Sequence, residues 1–258
     1  MTSVFKRKVA GLLVNSTTGK AIGLIYRDRI PARGLMVRTA SPLIRPEVKA
    51  LLALGMYESA ERRLVTRFLR SDVAVVELGS SIGYITGHIA LRCPPHQVGV
   101  EANILLHPLI EDLMRLNGLT SVRLIHGAID YSGRKTVRFS VNSYNTGSAV
   151  ATDNTTRRPA MEVEVAALTL GDVVDREGIH EFALVCDIEG AERGMIWNEH
   201  STVIRRCRQM IIELHGGEYN HEQMSPDALA QKVQSRWGMQ VTARDGNTWV
   251  FQRQEAAR

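Results

Sequence analysis

A short glycine-containing turn with an acidic residue in front of it is the first feature of this sequence that can do chemistry. Its spacing is Glu77-x-Gly79-x-x-x-Gly83, between an apolar run and a segment with helical periodicity. Glycine lets the backbone approach a ligand closely, and the following helix presents free N–H groups. The spacing differs from the Gly-x-Gly-x-x-Gly that cradles a pyrophosphate. The turn therefore predicts a nucleotide-like cofactor with positive charge, because a carboxylate attracts an ammonium or sulfonium. The alternative is a plain tight turn.

A second acidic residue, Glu101, stands 24 residues after Glu77 at the end of the next apolar run. Doubly wound sheets place an acidic side chain about 20 residues after the glycine turn, where it accepts hydrogen bonds from ribose hydroxyls. Glu77 and Glu101 together therefore predict S-adenosylmethionine as the cofactor. The predicted cofactor site comprises Glu77, Gly79, Ser80, Ser81, Gly83, Tyr84 and Glu101, with Ala102 and Asn103 at the ribose rim and Ala128 and Ile129 beside the adenine.

Acidic residues and a histidine follow two later apolar runs. Asp187 and Glu189 come after the first of these runs, and Glu213 and His215 end the second. Ligands collect at the carboxyl ends of parallel strands, so these side chains are expected in the same crevice as the cofactor. Such a set can supply a general base, hold a divalent metal such as Mg²⁺, or do both. The sequence predicts Asp187, His215 and Glu189 as catalytic residues, and Asp187, Glu213 and His215 as metal ligands. The alternative is that these acids only cap a helix.

Alternating strands and helices position these groups. Continuous apolar runs typical of buried strands occur at Val73–Leu78, Val98–Glu101, Val122–Ile125, Phe182–Cys186 and Met210–Leu214. Helical patterns occur at Ile82–Arg92 and Leu105–Leu116, after a capping box of Thr169 and Asp172, and at Pro226–Trp237. A β-α-β-α-β order predicts a parallel sheet with right-handed crossovers.

Two pairs of alternating patterns predict antiparallel strands. Thr136–Val141 and Met161–Val165 form one pair, and Gln240–Ala243 and Thr248–Gln252 flank the hairpin signal Asp245-Gly246. Five parallel strands and this terminal hairpin predict an α/β, Rossmann-like class I methyltransferase fold. Its sheet would have seven mostly parallel strands and a C-terminal antiparallel hairpin.

The remaining segments flank the predicted sheet. Residues 1–70 are predicted to form an N-terminal helical extension or lid, and residues 71–258 the cofactor-binding domain. Residues 1–45 begin strand-like and cannot be assigned, whereas helices are expected from Arg45-Pro46 and from about Glu58 to Leu69. The polar stretch 142–158, with Tyr144, Asn145 and Ser148, is either a loop that reads the acceptor or a disordered loop.

The amino-acid composition limits which classes of binding partner are expected. The net charge of +5 comes from basic residues spread along the chain rather than from a stripe, and aromatic residues make up only 5%. Both observations argue against a nucleic-acid partner. No apolar run approaches the ~20 residues of a membrane span. Three cysteines without metal spacing and no signal-peptide pattern favour a cytoplasmic protein, and a homo-oligomer stays open.

Four strings together resemble the FkbM family of methyltransferases: Val75–Tyr84, Gly99–Asn103, Cys186–Glu192 and Ile212–His215. The likeness covers about residues 56 to 216, and Asp187–Glu192 is its most family-specific part. The resemblance implies methyl transfer to a hydroxyl of a sugar, glycan or secondary metabolite. The first acidic position is often Asp in that family and is Glu77 here.

The mechanism expected from these residues is in-line methyl transfer, with Asp187 or His215 removing the acceptor proton and Glu189 and Glu213 orienting groups or binding metal. One alternative is the same fold acting on RNA or protein, which the high isoelectric point suggests. Another is a cofactor-binding module without activity. A nicotinamide oxidoreductase is disfavoured by the glycine spacing and the terminal hairpin.

Overall fold

The N-terminal part of the chain forms helices and a small hairpin. A computed structural model describes residues 13–119, 122–141, 149–150 and 161–254. Helix α1 (Ser16–Ile25) is followed by the antiparallel pair β1 (Arg29–Ala32) and β2 (Leu35–Arg38), and then by α2 (Pro46–Leu54) and α3 (Ser59–Phe68). The two helices predicted after residue 45 are confirmed, whereas α1 and the hairpin lie in the segment that the sequence left unassigned.

A seven-stranded sheet forms the centre of the molecule. Its strands are β3 (Ala74–Leu78), β4 (Gln97–Glu101), β5 (Arg123–His126), β10 (Phe182–Cys186), β11 (Cys207–Glu213), β14 (Met239–Asp245) and β15 (Thr248–Arg253). The order across the sheet is β14-β15-β11-β10-β3-β4-β5. Five of these strands run parallel to one another: β3, β4, β5, β10 and β11. Strand β15 pairs antiparallel with both β11 and β14. This is the predicted Rossmann-like class I methyltransferase fold, with its C-terminal hairpin inserted beside β11.

Burial on both faces explains why β3 and β10 are continuously apolar. Along a strand successive side chains point to opposite faces. Val76 and Leu184 pack into a core on one face, and Val75 and Val185 pack into a core on the other. The first core is covered by α6 (Leu170–Arg176), α7 (Glu192–Asn198), α8 (Ser201–Arg206) and α9 (Pro226–Trp237). The second is covered by α4 (Tyr84–Ala90), α5 (His107–Leu116) and the N-terminal elements.

Two helices begin later than the sequence predicted. The helix after the glycine turn starts at Tyr84 rather than Ile82, because Ser81 and Gly83 adopt left-handed backbone with φ of 50° and 82°. The segment predicted as one helix from Leu105 divides into a 3₁₀ turn (Ile104–Leu106) and α5. The capping box of Thr169 and Asp172 is present at α6.

A smaller sheet lies beside the main one. Its order is β6-β9-β7-β8, with β6 Ala128–Ile129, β7 Thr136–Val141, β8 Ala149–Val150 and β9 Met161–Leu168. The predicted antiparallel pairing of β7 with β9 is confirmed. Strands β12 (Gly217–Tyr219) and β13 (Glu222–Met224) form a separate hairpin. The predicted acceptor-loop residues Tyr144, Asn145 and Ser148 lie outside the described residues.

The N-terminal elements pack directly on the main sheet. Val48 of α2 and Leu64 of α3 belong to the same core as Val75 of β3. The predicted division at residues 70 and 71 stays a prediction. Within the described ranges, no helix combines the length and apolarity needed to cross a membrane.

Candidate functional site

A cavity of about 250 Å³ opens at the carboxyl ends of β3, β4 and β10. Eight of the predicted site residues line it: Gly79, Ser81, Glu101, Ala102, Ala128, Ile129, Asp187 and Glu189. The sequence did not single out the other lining residues, which are Tyr57, Glu58, Glu61, Val100, Leu106, Gly127, Phe139, Ile188 and Ala191.

Gly79 lets two strand ends come together at the floor of this cavity. Its φ is 87°, and a Cβ atom placed on it would lie 1.9 Å from the backbone oxygen of Asp187. Next to this contact, the N–H of Asp187 donates to the carbonyl of Leu78 at 3.0 Å. Both conformation and space therefore require glycine at this position.

Glu101 joins the turn after β3 to the turn after β4. Its carboxylate accepts hydrogen bonds from the N–H of Ser81 at 2.8 Å and from the N–H of Asn103 at 2.7 Å. The side chain is buried yet lines the cavity, and burial raises its pKa to about 7. A carboxylate has about four acceptor sites, so Glu101 keeps acceptor capacity for a hydroxyl group.

Five of the predicted cofactor residues are buried and do not line the cavity: Glu77, Ser80, Gly83, Tyr84 and Asn103. The Ser80 hydroxyl donates to one carboxylate oxygen of Glu77 at 3.2 Å, and the other oxygen has no partner in the described part of the chain. Burial raises the pKa of Glu77 to about 8. Tyr84 is fully buried, and its ring packs edge-on against Tyr57. In this structure these residues support the turn.

Part of the cavity lining is apolar. It includes Ala128 and Ile129, together with Leu106 after β4 and Phe139 of β7. The sequence did not identify Phe139 as a site residue. It lies 38 residues after Glu101 in the chain, and the alternating pattern of its strand does not show that its side chain reaches the cavity. An apolar slot beside a hydrogen-bonding carboxylate suits a flat heterocycle joined to a ribose.

The other part of the cavity is acidic. Asp187 and Glu189 are joined there by Glu58 and Glu61, which come from the start of α3. Glu58 and Glu189 have left-handed backbone with φ of 42° and 53°. Left-handed backbone at non-glycine residues stores strain and is typical of functional sites. In the sequence, Glu58 and Glu61 are marked only by their separation of three residues. Acidic residues at this spacing are also common at the start of a helix, so they did not indicate a site.

His215 lies within a group of carboxylates. Its Nδ1 is 3.2 Å from Glu192, and its Nε2 lies 3.7 Å from Glu189 and 3.9 Å from Asp187. The hydrogen bond to Glu192 raises the pKa of His215 to about 9. An imidazolium has no free lone pair, so it neither accepts a proton nor binds a metal. His215 is not among the cavity-lining residues, whereas Asp187 is.

Asp187 lines the cavity and has a perturbed pKa. Its Oδ1 is buried and makes no hydrogen bond with a described residue, and Nε2 of His215 lies 3.9 Å from it. Burial, reinforced by the charge of Glu213, raises the pKa of Asp187 to about 7. Burial also raises the pKa of Glu213 itself.

Three side chains lie close enough together to share a metal ion, and two of them belong to the predicted set of metal ligands. Asp187, Glu192 and His215 each offer one ligand atom within 4.8 Å of the others. Glu192 takes the place of the predicted Glu213, which is half-buried at the end of β11. Glu192 is fully buried, one of its oxygens accepts a hydrogen bond from the N–H of Ile188, and the other has no partner within the described ranges.

No family model matches this sequence, and no curated protein matches it. The resemblance to the FkbM family therefore rests on the four strings and stays a prediction.

Solved structures with a similar fold include several methyltransferases. They include a ribosomal protein L11 methylase from Lactobacillus delbrueckii subsp. bulgaricus, with 9% identity over 78% of this chain and 80% of that one (TM-score 0.44). The METTL16 methyltransferase domain has 12% identity over 92% and 79% (TM-score 0.47). TrmK from M. capricolum, in complex with S-adenosylhomocysteine, has 10% identity over 74% and 65% (TM-score 0.41). Likenesses this low say nothing about substrate, and the fold assignment rests on the sheet order.

Proposed function

We propose that this protein is an S-adenosylmethionine-dependent methyltransferase. The observation that carries the proposal is Glu101, which stands on the cavity wall at the end of β4 with acceptor sites left for hydroxyl groups. The neighbouring strand end carries the Gly79 turn, and an apolar slot lies close by. This combination at the carboxyl ends of parallel strands is where doubly wound sheets bind adenosine-containing ligands.

The residues of the cavity fit the cofactor. Glu101 would accept hydrogen bonds from the ribose hydroxyls, and Ala128, Ile129 and Phe139 would surround the adenine. Ser81 and the Gly79 turn would face the methionine part. When bound, this cofactor supplies an activated methyl group on a sulfonium, so the protein needs only to align the acceptor and manage its proton.

The proposed acceptor group is a hydroxyl of a sugar, glycan or secondary metabolite, as the resemblance to the FkbM family implies. An aliphatic hydroxyl is a poor nucleophile and gains from a base that takes its proton. We assign this task to Asp187, because this residue lines the cavity and because its pKa of about 7 suits proton transfer at neutral pH. His215 would then act as a positioning residue, paired with Glu192.

A divalent metal is a separate part of the proposal. Carboxylate and imidazole groups are suitable ligands, and Asp187, Glu192 and His215 lie close enough to share one ion. A metal would compete with the proton on His215, so its binding would strengthen as the pH rises.

The second candidate function is methyl transfer to RNA or protein, and the charge of the cavity lining restricts how RNA could bind. Five carboxylates and no basic side chain occur among the described residues that line the cavity. Such a lining repels phosphate groups. A nucleic acid could therefore present only a base to this cavity, with its backbone outside.

The test is a methyl-transfer assay with radiolabelled S-adenosylmethionine and a panel of sugars, polyols and phenols. The proposal expects label in at least one hydroxyl acceptor, with formation of S-adenosylhomocysteine. Cofactor binding without transfer to any acceptor, including RNA and protein mixtures, would instead make the chain a binding module.

A further inference from the structure

The cavity and the whole chain have opposite charges. The chain carries a net charge of +5. Of the 17 described residues that line the cavity, five are carboxylic acids and none is Lys, Arg or His. One of the five, Glu101, is already bound to two backbone N–H groups. The other four are Glu58, Glu61, Asp187 and Glu189, which we call the acidic wall.

Glu61 is the member of the acidic wall that most requires an explanation. Its side chain is only 5% exposed, and among the described residues only like charges, with no hydrogen bond, act on its carboxyl group. Yet it lines the cavity, so its carboxyl group is available to a ligand that occupies that space. A buried carboxyl group without a partner is costly to ionise, and a ligand that brings a positive charge close to it favours the ionised form.

The members of the acidic wall come from separate elements but act on one another. Glu61 lies at the first turn of α3, and Asp187 follows β10. Burial and the neighbouring charges of Asp187 and Glu58 raise the pKa of Glu61 well above its usual value. Acidic groups brought this close repel each other, so the apolar core beneath α3, which includes Leu64 and Val65, must hold them together.

The cofactor does not balance this charge. S-adenosylmethionine carries a sulfonium and an ammonium against one carboxylate, which leaves a single net positive charge. Within the acidic wall, Asp187 and Glu189 lie within 4 Å of the imidazolium of His215, whereas the described lining contains no cation to pair with Glu58 and Glu61. Room for further positive charge therefore remains on the acceptor side.

We propose that the acidic wall binds a protonated amine of the methyl acceptor, so that the acceptor is a small hydroxylated amine such as an amino sugar or an amino alcohol. The inference rests on the proposed methyl transfer and names its substrate class. The ammonium would pair with Glu61 and Glu58, and a hydroxyl of the same molecule would face Asp187.

The experiment measures binding of matched probes to the protein saturated with S-adenosylhomocysteine, by calorimetry or ligand-observed NMR. The probes are glucosamine, galactosamine and ethanolamine, each paired with its neutral N-acetyl counterpart. At least one amine should bind about tenfold more tightly than its counterpart, which corresponds to one charge-assisted hydrogen bond. Glu61→Gln should reduce this ratio to near one and leave the affinity for S-adenosylhomocysteine within about twofold.

Two further variants keep the test decisive. Glu58→Gln, at a half-buried position, should lower the same ratio and replaces Glu61→Gln if that variant does not fold. Glu111→Gln is the control, because Glu111 is an exposed carboxylate on α5 outside the cavity lining. It should change neither affinity.

The inference is overturned if no amine binds better than its N-acetyl counterpart. It is also overturned if the Gln variants weaken S-adenosylhomocysteine as much as the amine, because the acidic wall then serves the cofactor. Wild-type protein that does not bind S-adenosylhomocysteine would refute the proposed function instead. The amine titration is repeated without the cofactor product, so that the two failures can be told apart.

Discussion

At the scale of single residues, burial decides which groups can do chemistry. Asp187 and His215 follow neighbouring parallel strands, and the sequence alone could not choose between them as the base. The structure separates them, because Asp187 faces the cavity whereas His215 is paired with the fully buried Glu192. The same burial keeps the carboxyl group of Glu77 beneath the turn, with a pKa of about 8.

Replacing Asp187 should remove most of the turnover. Asp187→Asn keeps the shape of the side chain but cannot take the acceptor proton, so kcat should fall by about 10² or more. Affinity for S-adenosylhomocysteine should stay nearly unchanged. Steady-state kinetics and calorimetry measure the two quantities. Full turnover in both Asp187→Asn and His215→Gln would show that neither residue is the base.

Glu77 should make stability depend on pH in a defined direction. Its pKa is about 8 in the folded protein and near 4.5 when exposed, so between these values the folded state binds more protons than the unfolded state. Stability linked to this group is therefore lost as the pH rises from about 4.5 to about 8. Relative to Glu77→Gln, the wild type should lose more than about 1 kcal/mol of unfolding free energy between pH 5 and pH 8. Urea unfolding at the two pH values measures the difference, and a constant difference would contradict the burial argument.

Chelation tests the predicted metal. If Asp187, Glu192 and His215 share a divalent ion, excess EDTA should lower methyl transfer and added Mg²⁺ should restore it. His215→Gln should weaken the response to Mg²⁺, because it removes one ligand. Turnover that survives EDTA unchanged would leave His215 with a purely ionic role beside Glu192.

At the scale of elements, the turn between β3 and α4 fixes the site. Gly79 brings this turn against the backbone of Asp187, and Ser81 is bound by Glu101 from the adjacent strand end. Three neighbouring strands thereby set the position of the cavity floor. The apolar runs predicted these strands correctly, because buried parallel strands are apolar on both faces.

Gly79→Ala should disrupt this arrangement. The new Cβ would lie 1.9 Å from the backbone oxygen of Asp187, at a φ of 87° that alanine adopts with strain. We expect loss of S-adenosylhomocysteine binding by at least about tenfold and destabilisation of about 2 kcal/mol or more. Gly133→Ala is the matched control, since its φ is 78° and its Cβ would meet nothing within 4 Å. Equal effects in the two variants would mean that backbone strain alone, not the contact with Asp187, matters.

The sequence could predict the central sheet and the polar groups that follow its strands, because strand period and strand order place them. It could not predict α1 or the β1–β2 hairpin, whose short apolar runs fit several structures. It also missed Glu58 and Glu61, which look like ordinary acidic residues at a helix start. Their role depends on α3 packing against β11, β14, β15 and α4, and these long-range contacts have no local signal.

At the scale of the whole molecule, charge is divided between the surface and the cavity. A chain with an isoelectric point near 9.3 has a cavity whose described lining is acidic or neutral. The basic surface and the acidic cavity can therefore serve different partners. The apolar slot and Glu101 are the part of the cavity that the cofactor would use, and the acidic wall is left for the acceptor.

The central claim is that the cavity binds the cofactor through Glu101. Isothermal titration calorimetry with S-adenosylhomocysteine tests it on the wild type, Glu101→Gln and the control Glu111→Gln. We predict one site per chain, an affinity about tenfold or more weaker in Glu101→Gln because a ribose hydrogen bond is lost, and no change in the control. Absence of binding to the folded wild type, or equal affinity in Glu101→Gln, would contradict the account.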